Sequence, residues 1–138
     1  MLHLAYGSNM STALMRGRCP GARLEGHALL PGYRVIIMRC GYASIVPAPG
    51  AVVHGLLWRL TLRDLAALNA YENLDGGLYR AVTMAVVAGR RRRAARVYVG
   101  RDRATGRPRR GYLAIITQAA RHAGFPPHYV RRLQRLGA

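Results

Sequence analysis

At 138 residues, 51% of them apolar and spread in short blocks, the chain is long enough for one domain that buries roughly two thirds of its unfolded surface. It holds no apolar run long enough to span a bilayer. Twenty-two cations, all arginine, face five acids for a net charge of +17. Such a field attracts anions and phosphate backbones, but the complete absence of lysine points to a general bias toward arginine as readily as to selection for a polyanion.

The apolar opening Met1–Tyr6 has no cationic leader and meets Gly7-Ser8-Asn9 too early for a signal segment. The chain is therefore expected in the cytoplasm. A strand over Leu2–Tyr6 leads through the Gly-Ser-Asn turn into a helix from about Ser11 to Gly17, which Cys19-Pro20-Gly21 ends. Apolar stretches at Ala22–Leu30, Tyr33–Met38, Tyr42–Val46 and Ala51–Leu60 are separated by Pro31-Gly32 and by Pro47-Ala48-Pro49-Gly50. They predict four strands joined by turns. Thr61-Leu62-Arg63-Asp64 is a capping-box pattern that opens a helix through Tyr71, with Leu62, Leu65 and Leu68 as its buried face.

Tyr79–Ala88 and Ala94–Gly100 predict a hairpin around Gly89–Arg93, followed by a basic loop to Arg110. That arginine cluster fits a solvated turn better than a binding surface. Tyr112–Ala123 carries Ile115, Ile116, Ala119 and Ala120 on one helical face, with Gly124 as its cap. A final short helix holds Tyr129, Leu133 and Leu136. No repeat or linker divides the chain, so residues 1–138 are expected to form a single α+β domain whose strands curl over a core.

Cys19 and Cys40 show no metal spacing, and the five histidines have no His-Glu-x-x-His or Cys-x-x-Cys companion. No metal site is expected, and the cysteines are expected to pack unpaired. A strand that ends in Tyr6-Gly7-Ser8-Asn9 and enters a helix offers backbone N–H groups to a carboxylate, although the tetrapeptide by itself fits an ordinary helix-capping turn better. The five acids can be taken in turn. Asp64 caps a helix, Asp75 precedes Gly76-Gly77 in a turn, Asp102 lies between arginines, and Glu25 alternates outward on a strand. Glu72 has no such explanation: it follows an amphipathic helix among Leu68, Tyr71, Leu74, Leu78 and Tyr79, where burial raises a carboxyl toward proton transfer near neutrality.

In order and spacing, Tyr6-Gly7-Ser8-Asn9-Met10, Arg18-Cys19-Pro20, Pro31-Gly32-Tyr33, Ile45-Val46-Pro47, Gly55-Leu56-Leu57-Trp58, the Leu68 to Glu72 interval and Gly77-Leu78-Tyr79 resemble the γ-glutamylcyclotransferase-like family. The likeness runs nearly end to end, and Gly124–Tyr129 with the basic helix after it resembles that family's C-terminal region. The resemblance implies a small mixed, mostly antiparallel β-barrel flanked by helices, with the Tyr6–Asn9 loop and Glu72 facing one cavity. It also implies a cofactor-independent reaction on a small-molecule γ-glutamyl substrate: the α-amine attacks the γ-carbonyl, giving 5-oxoproline and a free amine or amino acid. Glu72 would be the acid/base and Gly7, Ser8 and Asn9 would hold the glutamyl end, with Tyr6. Tyr79, Tyr98 and Tyr112 are cavity or core residues.

Two positions depart from the family pattern. Asn73 stands where glycine is common, which is expected to bring a side chain to the cavity rim, and His54 replaces a bulkier aromatic, which is expected to alter the cavity wall. The alternatives to an enzyme are a non-catalytic ligand-binding domain of the same fold and a basic nucleic-acid binder. The last lacks the aromatic-interleaved basic strands of an RNA-binding module.

Overall fold

Residues 1–137 are described by a computed structural model. Its strands are β1 (Leu2–Ala5), β2 (Arg23–Ile37), β3 (Ala43–Arg59), β4 (Tyr79–Ala88) and β5 (Arg91–Gly100). They close a barrel in the order β1-β3-β2-β4-β5. Every pairing is antiparallel except β1 with β5, which meet in parallel at His3 and Arg96 and complete the ring. Helices α1 (Thr12–Arg18), α2 (Leu62–Tyr71), α3 (Tyr112–His122) and α4 (Pro127–Gln134) flank it. Among the described residues no helix is long and apolar enough to cross a membrane.

The four strands expected between residues 22 and 60 are two long ones. Pro31-Gly32 and Pro47–Gly50 do not end them, because the register slips there: Pro31 pairs with Val52, whereas Tyr33 pairs with Pro47. Gly32 takes φ +83. A bulge accommodates residues that lack a ladder N–H and bends the strand sharply, which is what a small closed barrel requires. The expected hairpin also reaches further. Gly89, at φ +63, and Arg90 form a two-residue turn, and Arg91, Arg92 and Arg93 already pair with Ala88, Val87 and Val86. Their backbones continue the ladder while the charged heads stay solvated.

Leu4, Ile45, Val53, Leu57, Val86 and Val97 are fully buried, and Met15, Leu68 and Ile116 seal the helices onto them. Each such side chain contributes about 1.5–3 kcal/mol by leaving water. Leu62 was expected in this core but is 84% exposed. It occupies the first helical position of α2, and the inward stripe runs through Asp64, Leu65 and Leu68 instead. Ile115 is likewise 38% exposed, and α3 docks through Ile116, Ala119 and Ala120. Gly124 takes φ +79 just after the last turn of α3.

The capping box at α2 is complete. Thr61 Oγ1 accepts from the Asp64 N–H at 3.1 Å, and Asp64 Oδ2 accepts from the Thr61 N–H at 3.3 Å. Asp64 Oδ1 also accepts from the Gly21 N–H at 3.2 Å, which ties the start of α2 to the end of α1. This fixes where α2 starts and anchors it beside α1.

Candidate active site

Strand β1 ends at Ala5, and the chain turns through Gly7 into a 3-10 turn over Ser8–Met10. Trp58 of β3 pins this turn, its indole N–H donating to the Asn9 carbonyl at 3.1 Å. A β-carbon on Gly7 would lie 3.3 Å from the Tyr112 hydroxyl and 3.6 Å from Ala43 Cβ. Glycine therefore keeps this backbone open to the space beside it. The first N–H groups of such a turn have no partner within it.

Glu72 caps α2, its own N–H bonded to the Leu68 carbonyl at 2.8 Å. Asn73 then adopts φ +54, the left-handed conformation that asparagine tolerates, and closes the helix. The Glu72 side chain turns inward, where Oε1 accepts from Asn9 Nδ2 at 3.0 Å across a sequence separation of 63 residues. Carboxyl and loop thus meet at a cavity of about 270 Å³.

Tyr6, Gly7, Ser8, Asn9, Glu72, Tyr79, Tyr98 and Tyr112 all line that cavity. Three of the tyrosines are locked to backbone: Tyr6 Oη donates to the Tyr98 carbonyl at 2.6 Å, Tyr79 Oη donates to the Ala43 carbonyl at 2.6 Å, and Tyr112 Oη accepts from the Ala43 N–H at 3.1 Å. Burial first, and the nearby Glu72 charge among lesser causes, pushes all three phenols well above their ordinary range, so they remain neutral. The tyrosines of the wall are thus hydrogen-bonded in place and uncharged.

In that setting burial pushes the Glu72 carboxyl up to about 7, against the opposing pull of the Asn9 hydrogen bond and the Arg18 charge. A carboxyl that titrates near neutrality can both take and return a proton at working pH. Among the described residues no three His, Cys, Asp or Glu side chains gather as a metal site requires.

Two expectations about the cavity fail. The Asn73 side chain lies against Gly76 rather than at the cavity rim, because the left-handed backbone directs it back over its own turn. His54 is also outside the cavity, packed with ring centroids 5.1 Å from His27 and 4.4 Å from Tyr129 where α4 meets the barrel. Sequence reading missed His3, Tyr42 and Tyr71 as cavity residues. It also gave no role to Arg18, whose guanidinium bonds Ser8, Asn9 and Tyr71. The available signal for Arg18 was its place on the helix that follows the loop, inside the Arg18-Cys19-Pro20 motif.

Of the remaining four acids, Asp64 and Asp75 stand as expected, whereas Glu25 and Asp102 pair with distant arginines, and Glu25 does not alternate with Leu24, which is also exposed at a bulge in β2. Glu25 pairs with Arg59 at 2.8 Å, Asp102 with Arg39 at 2.9 Å, Asp64 caps α2, and Asp75 lies in the turn before β4. Cys19 and Cys40 are unpaired.

The sequence pattern of the AIG2-like family matches residues 52–133. The chain is 25% identical over 146 residues to gamma-glutamylcyclotransferase of Homo sapiens and 26% identical to that of Mus musculus, spanning 98% of this chain and 78% of each relative. A solved structure of a gamma-glutamyl cyclotransferase superposes with a TM-score of 0.90 at 25% identity, over 97% of this chain and 86% of that one. With the closed mixed barrel and a family match over more than half its length, the chain belongs to the AIG2-like family, among the γ-glutamylcyclotransferase-like proteins.

Proposed function

We propose that the protein is a γ-glutamylcyclotransferase-type enzyme, which cyclises a γ-glutamyl amide to 5-oxoproline and releases an amine or amino acid. The observation that carries this reading is the Glu72 carboxyl, raised to about 7 and held 3.0 Å from the Asn9 amide in a cavity lined by neutral tyrosines. The relatives named gamma-glutamylcyclotransferase support the reaction class.

In this mechanism ionised Glu72 takes a proton from the substrate ammonium, and the freed amine attacks the γ-carbonyl carbon. The new C–N bond closes a five-membered ring and leaves a tetrahedral oxyanion beside the Gly7–Asn9 backbone, whose N–H groups stabilise it. Protonated Glu72 then gives its proton to the leaving nitrogen and the old C–N bond breaks. The ionised carboxylate takes the second proton from the ring nitrogen and passes it to the released amine, which leaves as an ammonium, so that the lactam is neutral and Glu72 is ionised again. Nothing is oxidised or reduced and no water is consumed. Intramolecular attack contributes heavily, since well-oriented systems of this kind reach effective molarities of about 10⁵–10⁸ M.

The cavity's size supports a small substrate: about 270 Å³ lies near the lower end of ligand pockets, roughly 300–1,000 Å³. Tyr71, half-exposed, and Tyr42 stand at its border, where a leaving group would extend. A panel of γ-glutamyl amino acids and γ-glutamyl amines tests the reading. The expected result is 5-oxoproline released in step with free amine from at least one of them. Tight binding of such an amide without any product, by folded protein, would instead make the chain a ligand-binding domain.

A further inference from the structure

Arg18 ends α1, one short helix after the loop that meets Glu72. Its guanidinium joins two segments of the cavity wall. Nη1 donates to Asn9 Oδ1 at 2.6 Å and to Ser8 Oγ at 3.1 Å, Nη2 donates to the Tyr71 hydroxyl, and the guanidinium carbon lies 3.8 Å from the centre of the Tyr71 ring. The ion pairs among the described residues use Arg39, Arg59 and Arg93, not Arg18. Its hydrogen bonds therefore go to neutral acceptors around one amide, while its charge also reaches Glu72 and pulls that carboxyl down.

A guanidinium has donors only, so the oxygen of the Asn9 amide must face Arg18. That leaves the NH2 end for Glu72, to which it donates at 3.0 Å. An amide freed from Arg18 can turn over and offer its oxygen instead, and a carboxyl can meet that oxygen only when protonated. The orientation of one side chain thus decides which form of Glu72 the site favours.

We infer that Arg18 is a positioning residue: by fixing the Asn9 amide it holds the Glu72 carboxyl in the ionised, inward geometry from which it can accept a proton. The inference rests on the acid/base role proposed for Glu72. The titratable and charged groups around Glu72 are Arg18 from α1, His3 of β1, Tyr6 after it, Tyr42 before β3, Tyr79 of β4, Tyr98 of β5, Tyr112 of α3 and Tyr71 of its own helix. Burial lowers His3 to about 4, so it is neutral over the range in which Glu72 titrates. Tyr6, Tyr79, Tyr98 and Tyr112 are all held above their ordinary range, chiefly by burial. Arg18 is the cation of the set.

R18M keeps the aliphatic stem and removes every donor. The chain has only two glutamates, Glu25 and Glu72, so carboxyl carbon labelling gives two resolvable titrations. R18M is expected to move the Glu72 midpoint, and the acid limb of kcat/KM, upward by about one pH unit, with about a tenfold loss of kcat/KM near pH 6. R18K, also a pure donor, is expected to return the midpoint to the wild-type value. An R18M midpoint equal to that of wild type, whatever the loss of rate, would overturn the inference.

Wild-type protein provides a second measurement that survives a failure of R18M to fold. The side-chain NH2 resonances of Asn9 should shift with the Glu72 midpoint, and an amide blind to that titration contradicts the assigned orientation. Neither resonance experiment needs turnover. A chain that shifts its midpoint but cyclises no γ-glutamyl amide would therefore disprove the reaction and leave the positioning intact.

Discussion

Glu72 is held against its own preference. Burial raises its carboxyl from 4.5 to about 7, so the folded state binds a proton more tightly than the unfolded chain does. The sign follows directly: the cost is absent below about 4.5, grows as pH rises to about 7, and is fully felt above that. The full shift corresponds to about 3 kcal/mol as an upper bound. E72Q, which keeps the size and cannot ionise, should accordingly be more stable than wild type at pH 8, with the advantage vanishing near pH 4. Urea unfolding at both pH values measures it. Equal stability of the two proteins at pH 8 would mean that the carboxyl is not buried as described. Glu72 was legible in the sequence because the chain has so few acids and the other four each have a structural explanation. Arg18 was not, because its place in the Arg18-Cys19-Pro20 motif sets it apart from the other arginines without naming its partners at residues 8, 9 and 71.

At the scale of elements, the loop is positioned by how closely β1 lies on β3. Gly55 makes that approach possible, since a β-carbon there would fall 2.6 Å from the Ala5 carbonyl oxygen and 2.8 Å from Leu4 Cδ1. G55A should force the two strands apart, cost about 2–3 kcal/mol of stability, and displace the Tyr6–Asn9 loop with them. G17A is the opposite case. Nothing lies within 4 Å of a β-carbon at that helical position, so it should stabilise by about 0.5–1 kcal/mol. Thermal unfolding of the pair is a direct comparison, and a stable G55A would remove the close strand approach from the account. The helices were legible from caps and spacing, Thr61 with Asp64 above all. The strands β2 and β3 were not, because proline and glycine mark a bulge as readily as a turn, and only pairing across the sheet distinguishes them. The meeting of Asn9 with Glu72 is of the same kind, a contact between distant segments that the barrel's closure creates.

For the whole molecule, the charge of +17 is the dominant electrostatic fact. Arg39, Arg59 and Arg93 have carboxylate partners among the described residues, and the acids they use are Glu25 and Asp102. The rest of the arginine surface repels itself. Raising ionic strength from about 10 mM to about 150 mM shortens the Debye length from about 30 to about 8 Å, so the melting temperature should rise over that range. A fall would show that salt breaks more attraction than it screens repulsion. Of this arginine surface, Arg18 is the cation whose charge acts on Glu72, which otherwise lies among tyrosines and one oriented amide.

One comparison tests the proposed role of Glu72 most directly: the rate of 5-oxoproline release by wild type and by E72Q, both shown to be folded, on the best γ-glutamyl amide of a panel. Loss of the acid/base should lower kcat by about 10²–10⁴-fold, with binding of the amide retained. Turnover by E72Q at the wild-type rate would contradict the account and move the search for the proton acceptor elsewhere in the cavity.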